Sequence, residues 1–377
     1  MWLFLLAGLG GAEVEAREAV IRSELLVLSE SHPGGALMSL GTTASGRDIP
    51  GVVLASTTTS RAERAVLVVG DALGEGERGA RLAVELAHTW IQAPVEGIDL
   101  YVVPRLDPDG DPFADVQVGV NFPVGWRPST DLAGAGAFPL QRPEAQALAE
   151  FLRGHPELVG VWSPGEVGDP GGSLFAFAAE CFGLVATSGD PNAGGDERAA
   201  TFLHWLSQLP SLRLTHAGSR DLGGGLWELD LELVNVGRLP CWLSDSAAGS
   251  RRPVDLSLKG AEILGAAAAR ADETLKPVAL GRDAEVVGLE PLDGGEWRAL
   301  RLVVRRDEAE SSALEFEVRA TRVGADRLTV ELLPALDEPE VLEVSEVPEI
   351  HGAPDPNGTP ETSGAPERPV RTEESSP

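Results

Sequence analysis

The fold of this chain is best predicted from the segment AVLVVGDALGEGERGARLAVELA, which covers Ala65 to Ala87. Residues 65–69 form a short apolar run with β-branched members, which is typical of a buried strand. A glycine-rich turn follows over residues 70–79, and the apolar positions after it predict a helix. In open α/β sheets, ligand sites form at the carboxyl ends of strands, so we expect a functional site at this turn.

The segments on either side have a similar strand-and-turn character. The sequence LGTTASGRDIPGVVLAS, residues 40–56, is typical of two strands joined by a turn. Residues 98–103, IDLYVV, predict another buried strand, which leads into the turn PRLDPDG at residues 104–110. The segment AFPLQRPEAQALAEFLRGHP then predicts a loop followed by a helix that starts near Pro143.

Taken in order, these segments resemble the motifs of the zinc carboxypeptidases, the carboxypeptidase A/B-like metallocarboxypeptidases. PRLDPDG is similar to the family turn Pro-x-x-Asn-Pro-Asp-Gly, and GVNFPVGW at residues 119–126 is similar to part of Gly-Val-Asp-Leu-Asn-Arg-Asn-Phe-Pro-x-x-Trp. QRPE at residues 141–144 matches Ser-Glu-Pro-Glu. The resemblance covers about residues 36–210. It implies an α/β fold with a zinc-carboxypeptidase-like mixed sheet flanked by helices.

The same resemblance implies a degenerate first metal motif. In the family this motif reads Gly-x-x-His-x-x-Glu-x-x-Gly. Gly70 and Gly79 match its two glycines, whereas Leu73 stands at the zinc-ligating His and Gly76 at the zinc-ligating Glu. Neither side chain is a zinc ligand.

The other catalytic positions of the family are also changed. The strand within residues 157–168 is expected to present the second zinc-ligating His, and Trp162 or Ser163 stands there. Where the family has its general-base Glu, this chain has Ser188 or Gly189. The resemblance therefore predicts no catalytic residue, no metal ligand and no cofactor. Zinc is predicted as the cofactor only if its ligands come from positions other than those matched to the family motifs.

Three residues are candidates for ligand binding in a vestigial cleft: Arg105, Asn121 and Trp126. Arg105 follows the buried strand at 98–103, where its guanidinium could hold a carboxylate or pair with a neighbouring Asp. Asn121 and Trp126 can equally be a turn residue and a packing residue. The Asp-Leu-Asn-Arg portion of the family motif is missing between Val120 and Asn121. In the family, the Asn-Arg pair of that portion holds the terminal carboxylate of the substrate.

A displaced metal site is a further alternative. Acidic residues crowd the two turns that follow the predicted strands: Asp71, Glu75, Glu77, Asp107, Asp109 and Asp111. Clusters of hard oxygen ligands suit Ca²⁺ or Mg²⁺ rather than Zn²⁺. Acidic turn residues are nevertheless common in a protein with a formal net charge of −29.

The same charge bears on partners. An acidic surface repels phosphate backbones and anionic lipids, so no nucleic-acid partner is predicted. Outside the N-terminal residues, no segment is apolar enough to cross a bilayer. The two cysteines are Cys181 and Cys241. They either form a disulfide bridge between domains or are two separate thiols.

The N-terminal sequence MWLFLLAGLGGAEVEA, residues 1–16, resembles a secretory signal peptide without the usual basic start. Its apolar run is too short to span a membrane. A secreted or periplasmic protein is therefore predicted, with a buried first helix as the alternative. Residues 13–32 have apolar positions at helical spacing.

From residue 211 onward the hydrophobic period becomes two, as in LWELDLELVN at residues 226–235. Short alternating strands predict a small antiparallel β-sandwich over residues 211–335, after a carboxypeptidase-like domain at 17–210. Residues 336–377 are rich in Glu, Pro, Ser and Thr and are predicted to be a disordered acidic tail.

Three functional hypotheses follow. The first is a carboxypeptidase-like protein that has lost metal binding and peptidase activity, and whose vestigial cleft binds a peptide or protein. The second is an active metallocarboxypeptidase with displaced metal ligands. The third is an envelope scaffold or interaction protein that acts through the β-sandwich.

Overall fold

The computed structural model describes residues 2–56, 64–71, 77–109, 116–128, 135–164, 174–190, 193–241, 254–270, 273–280, 285–306, 313–320 and 323–332. All of them belong to one compact unit, Met1–Pro334. The tail predicted at residues 336–377 lies outside the described residues.

A six-stranded mixed sheet forms the first part of this unit, in the order β1-β2-β4-β3-β5-β6. Its strands are β1 (Gly35–Thr42), β2 (Asp48–Leu54), β3 (Arg64–Val69), β4 (Ile98–Val103), β5 (Leu158–Ser163) and β6 (Val185–Ser188). β1, β2 and β4 pair antiparallel, whereas β3 pairs parallel with both β4 and β5, and β5 with β6. The predicted mixed α/β sheet is therefore confirmed.

Helices cover both faces of this sheet: α1 (Trp2–Ser31), α2 (Glu77–Gln92), α3 (Pro143–Gly154), α4 (Leu174–Phe182) and α5 (Gly195–Gln208). The side chains of β3 alternate between the faces, as a strand requires. Val66 and Val68 pack in a core with α1, α2 and α5, whereas Leu67 and Val69 pack in a second core with α3 and α4. Burial on both sides explains why β3 is a continuous apolar run.

The helix predicted at residues 13–32 corresponds to the C-terminal part of α1, which continues without a break from Trp2 and ends at Ser31. Leu25 and Leu28 of this helix are buried in the core that it shares with α2 and α5. The described part of the chain contains no helix that is both long and apolar enough to span a membrane.

Two antiparallel sheets follow, in the orders β11-β10-β13-β8-β7 and β12-β9-β14-β15. Their strands are β7 (Leu212–Gly223), β8 (Leu226–Asn235), β9 (Val254–Lys259), β10 (Glu262–Arg270), β11 (Lys276–Pro277), β12 (Val286–Leu289), β13 (Trp297–Arg305), β14 (Ala313–Ala320) and β15 (Gly324–Glu331). Alternate residues of β8 are buried, as its sequence predicts. Buried side chains from both sheets form one hydrophobic cluster.

Asn235 ties these sheets to the end of the first part of the chain. Its side chain is fully buried. Oδ1 accepts hydrogen bonds from the backbone N–H groups of Ser211 (3.0 Å) and Gly237 (3.1 Å). Nδ2 donates to the carbonyl oxygens of Leu239 (2.8 Å) and Asp293 (3.1 Å). One amide thus satisfies four backbone groups at the junction.

The two cysteines are both free thiols, with Cys181 exposed and Cys241 partly buried. The bridge between domains is therefore not formed. Burial raises the pKa of Cys241 to about 12, which keeps this thiol protonated at neutral pH.

The turn after β3 requires glycine at its first position. A Cβ atom on Gly70 would lie 2.2 Å from the carbonyl oxygen of Pro104 and 2.7 Å from that of Gly79. Gly79 lies in the first turn of α2, so the two glycines matched to the family motif pack against each other. Their spacing allows α2 to start directly against the end of β3.

We therefore expect Gly70→Ala to lower the free energy of unfolding by at least about 2 kcal/mol, because the new methyl group overlaps two backbone carbonyls. Urea unfolding followed by circular dichroism measures this loss. Gly154→Ala is the matched control, since a Cβ atom there meets nothing within 4 Å. Equal stability of the two variants would contradict the close packing.

Candidate functional site

The candidate site lies where the parallel strands end. β3 ends at Val69 opposite Val103 of β4, and β5 ends at Ser163 opposite Ser188 of β6. The chain turns away from each strand at these points, so the following side chains gather along one edge of the sheet.

A buried ion pair joins the turns that follow β3 and β4. Nε of Arg105 lies 3.4 Å from Oδ2 of Asp71, and the two side chains are only 7% and 4% exposed. Asp71 has a positive φ of 53°, a left-handed conformation that Asp tolerates better than most residues. Nη1 of Arg105 is also buried, and it has no hydrogen-bond partner among the described residues. Of the two alternatives for Arg105, the structure therefore contains the pairing with an Asp.

Trp162 and Ser163, at the end of β5, point to opposite faces of the sheet. The ring of Trp162 packs against Phe202 (5.4 Å between centroids) and Trp205 (5.1 Å), so it belongs to the core. Ser163 is fully buried, and its carbonyl oxygen accepts a hydrogen bond from Gly189 N–H at 2.9 Å. A hydroxyl group thus stands where the resemblance implies a zinc-ligating His.

Leu73 and Gly76, which match the first two zinc ligands, lie outside the described residues, as do Glu75 and Asp111. Glu77 starts α2 and pairs with Arg17 (Nε–Oε1, 3.1 Å). No group of three His, Cys, Asp or Glu side chains is arranged for a metal ion in the part of the chain that the structure describes.

A second polar cluster holds the turn after β4 against α3. Nη2 of Arg142 lies 2.8 Å from Oδ2 of Asp107, and Nε lies 2.8 Å from Oε2 of Glu144. Glu144 is fully buried, and its other carboxylate oxygen accepts the N–H of Ala44 at 3.3 Å. Burial lowers the pKa of Arg142, but the two carboxylates outweigh it and raise the pKa above its usual value. Asp107 was a candidate only for a displaced metal site, and the sequence pattern indicated no role for the side chains of Arg142 and Glu144.

Asn121 and Trp126 hold the loop that precedes α3. Nδ2 of Asn121 donates to the carbonyl oxygens of Ala135 (2.7 Å) and Phe138 (3.0 Å), and Oδ1 accepts the N–H of Arg142 (3.0 Å). Nε1 of Trp126 donates to the same Ala135 oxygen at 2.9 Å. The structure brings these two candidates together through Ala135, while Arg105 pairs with Asp71. In these contacts the polar groups of Asn121 and Trp126 form hydrogen bonds with backbone groups of the protein.

Asp109 connects the same turn to the hairpin between β1 and β2. Its carboxylate accepts hydrogen bonds from the Ser45 hydroxyl (2.5 Å) and the Ser45 N–H (3.2 Å), and Nε of Arg47 lies 3.7 Å away. Burial raises the pKa of Asp109, but hydrogen bonds from Ser45 and Thr43 and the charge of Arg47 outweigh it and lower the pKa.

His155 forms no part of the strand-end site. It caps the C-terminus of α3 and lies 2.6 Å from the Glu157 carboxylate (Nδ1–Oε1), which also accepts the Tyr101 hydroxyl at 3.2 Å.

Comparison with known proteins finds one family model and several solved structures that are similar to parts of the chain. A family model described as a domain of unknown function (DUF8731) matches residues 211–331. Comparison with curated proteins finds no match.

Solved structures that the chain resembles are metallocarboxypeptidase-like. Carboxypeptidase A from Helicoverpa armigera is 13% identical with a TM-score of 0.34, covering 44% of this chain and 55% of its own. A metallo-carboxypeptidase from Burkholderia cenocepacia is 12% identical with a TM-score of 0.33, covering 48% of this chain and 64% of its own. Murein-tripeptide amidase MpaA from Escherichia coli O157 is 16% identical with a TM-score of 0.33, covering 45% of this chain and 90% of its own. The chain thus spans little more than half of the first of these proteins.

We expect Arg142→Met to lower the free energy of unfolding by about 3 kcal/mol, because it leaves the buried Glu144 carboxylate without its cation. Urea unfolding is the measurement. Arg153→Met removes the same charge from an exposed position of α3 and should change stability by less than about 0.5 kcal/mol. A similar small change in both variants would contradict the proposed importance of the cluster.

The lowered pKa of Asp109 predicts a pH dependence. The native state binds fewer protons than the unfolded state, so this stabilisation is present above the unfolded pKa of about 4 and is lost as the pH falls through the folded value. Asp109→Asn should therefore be less stable than the wild type at pH 7 and lose less stability between about pH 5 and pH 2.

Thermal unfolding across this pH range tests the effect of Asp109. Glu150→Gln, an exposed carboxylate of α3, serves as the control for a general change of charge. Parallel acid-unfolding curves for the wild type and Asp109→Asn would show that the Ser45–Asp109 contact is not coupled to folding.

Proposed function

We propose that this protein is a carboxypeptidase-like protein that has lost zinc binding and peptidase activity, and that its strand-end cleft binds a peptide or protein. Four sequence motifs in family order support the origin of the α/β part. The order of the mixed sheet and the position of the strand ends agree with a site at that edge.

The Arg105–Asp71 pair is the observation that best supports loss of the metal. A zinc site of this family needs two His and one Glu, and the described strand ends offer instead a serine, an aspartate and an arginine. The Arg105 guanidinium lies against the one carboxylate that immediately follows β3, where it neutralises that carboxylate and repels a divalent cation. The described residues at this edge therefore do not fit a zinc ion.

The state of Arg105 also supports ligand binding. Its guanidinium is buried beside a single described carboxylate, and Nη1 has no hydrogen-bond partner among the described residues. A buried donor without an acceptor costs free energy. A ligand carboxylate is the acceptor that a guanidinium binds best, so peptides with a free C-terminus are the proposed ligand class.

Metal content and hydrolysis test the first part of this proposal. The full chain, purified without chelator and dialysed against trace zinc, should contain no zinc above background by elemental analysis. It should also release no C-terminal residue from a peptide mixture. Near-stoichiometric zinc together with peptide hydrolysis would contradict the proposal and favour a metallocarboxypeptidase with displaced ligands.

Ligand binding is tested with a pool of fluorescent peptides that carry either a free or an amidated C-terminus. We expect some free-carboxylate peptides to bind and their amidated forms to bind at least about tenfold more weakly, because a charge-assisted hydrogen bond is lost. Arg105→Met should remove this preference, with Arg153→Met as a control of equal charge. Equal binding of both peptide forms would contradict the assigned role of Arg105.

We further propose that residues 17–210 and 211–335 are separate domains, the second a β-sandwich. The match of a family model to residues 211–331 and the shared core of the two sheets support this division. For residues 1–16, the apolar run followed by a small residue supports a signal peptide and a secreted or periplasmic location. If no peptide binds to the cleft, the scaffold hypothesis, in which the β-sandwich binds the partner, becomes the favoured one.

A further inference from the structure

A cavity lies at the opposite end of the mixed sheet from the strand-end site. Arg64, the first residue of β3, lines it, whereas Asp71 of the strand-end site lies two residues beyond Val69, the last residue of β3. The cavity has a volume of about 590 Å³ and extends from the β3–β4 end of the mixed sheet to β7 and β15 of the antiparallel sheets. We call it the junction cavity.

The charged side chains that line the junction cavity are three arginines and two carboxylates: Arg64, Arg213, Arg327, Glu96 and Asp326. The lining therefore has a formal charge of +1 in a chain whose net charge is −29. The carboxylate of Asp326 already accepts the N–H of Leu214 at 2.7 Å, and Arg327 pairs with Glu317 (Nε–Oε2, 3.0 Å). Glu96 is an exposed residue at the rim of the cavity.

Arg64 is a partly buried cation without a counter-charge among the described residues. Nη1 donates one long hydrogen bond, 3.4 Å, to the carbonyl oxygen of Pro210. Arg64 forms no ion pair with a carboxylate among the described residues. Burial lowers the pKa of Arg64, which means that its charge is partly removed from water. Removing a charge from water without a counter-charge costs free energy, so such a cation favours an anion from solution.

Arg213 adds a second cation that is available for binding. It lies on β7, its side chain is exposed, and it forms no ion pair among the described residues. Ser211 lines the same cavity. Planar guanidinium groups bind phosphate and carboxylate oxygens through paired hydrogen bonds, and a hydroxyl group adds a further donor.

We propose that the junction cavity binds a small oxyanion, a phosphate or a carboxylate, on the guanidinium groups of Arg64 and Arg213. This site is independent of the strand-end cleft and of the function proposed for it. It uses residues on both sides of the junction after α5, so an anion bound there bridges the mixed sheet and the antiparallel sheets.

The test uses the full chain in a buffer free of phosphate and carboxylates at low ionic strength. Inorganic phosphate and succinate are titrated in parallel by isothermal calorimetry and by thermal unfolding. The proposal predicts saturable binding of at least one of them, with a rise in Tm of about 2–4 °C at ten times its Kd. The anion that binds more tightly identifies the source class. The absence of binding by both anions at millimolar concentrations would overturn the proposal.

Two variants locate the site. Arg64→Met should weaken binding of the preferred anion at least about tenfold, and Arg213→Met should weaken it about threefold or more, because each removes a charge-assisted contact. Arg153→Met, on the exposed face of α3, should bind as the wild type does. If Arg64→Met fails to fold, the exposed Arg213 decides the question. A wild-type affinity in Arg213→Met would then overturn the proposal.

Discussion

The candidate site depends on one buried ion pair, between Arg105 and Asp71, at the ends of two neighbouring parallel strands. Both charges are almost fully removed from water, so each stabilises the other against a large desolvation penalty. The pair also sets the electrostatics of the sheet edge, because a fixed guanidinium there favours anionic groups and disfavours divalent cations.

The surroundings of the pair are held by contacts that do not involve a metal. Gly70 packs against Gly79, which places α2 against the end of β3. Arg142 joins Asp107 after β4 to Glu144 at the start of α3. These contacts tie the turns to the helices, so the frame of the site is stabilised by packing and by internal ion pairs.

The sequence predicts well those elements whose signal is a local pattern of residues. β3 and β8 follow from their apolar run and their period of two, and α3 from Pro143 at its first position, because each of these signals lies within one element. The sequence does not predict which carboxylate pairs with Arg105, because Asp71, Asp107 and Asp109 all lie in the turns at that edge. The pairing depends on the strand order and on Arg142. Arg142 lies 35 residues after Asp107 in the chain and forms an ion pair with it. Contacts between distant segments, including those of Asn235 at the junction, similarly need the folded chain.

A double-mutant cycle on Asp71 and Arg105 tests the account most directly. The free energy of unfolding is measured for the wild type, Asp71→Asn, Arg105→Met and the double variant. We predict a coupling free energy of at least about 1 kcal/mol, because the two buried charges lie 3.4 Å apart and each single variant removes this interaction. Additivity within about 0.5 kcal/mol would contradict the account, since the two side chains would then not be coupled and the strand ends would lack the charge arrangement described above.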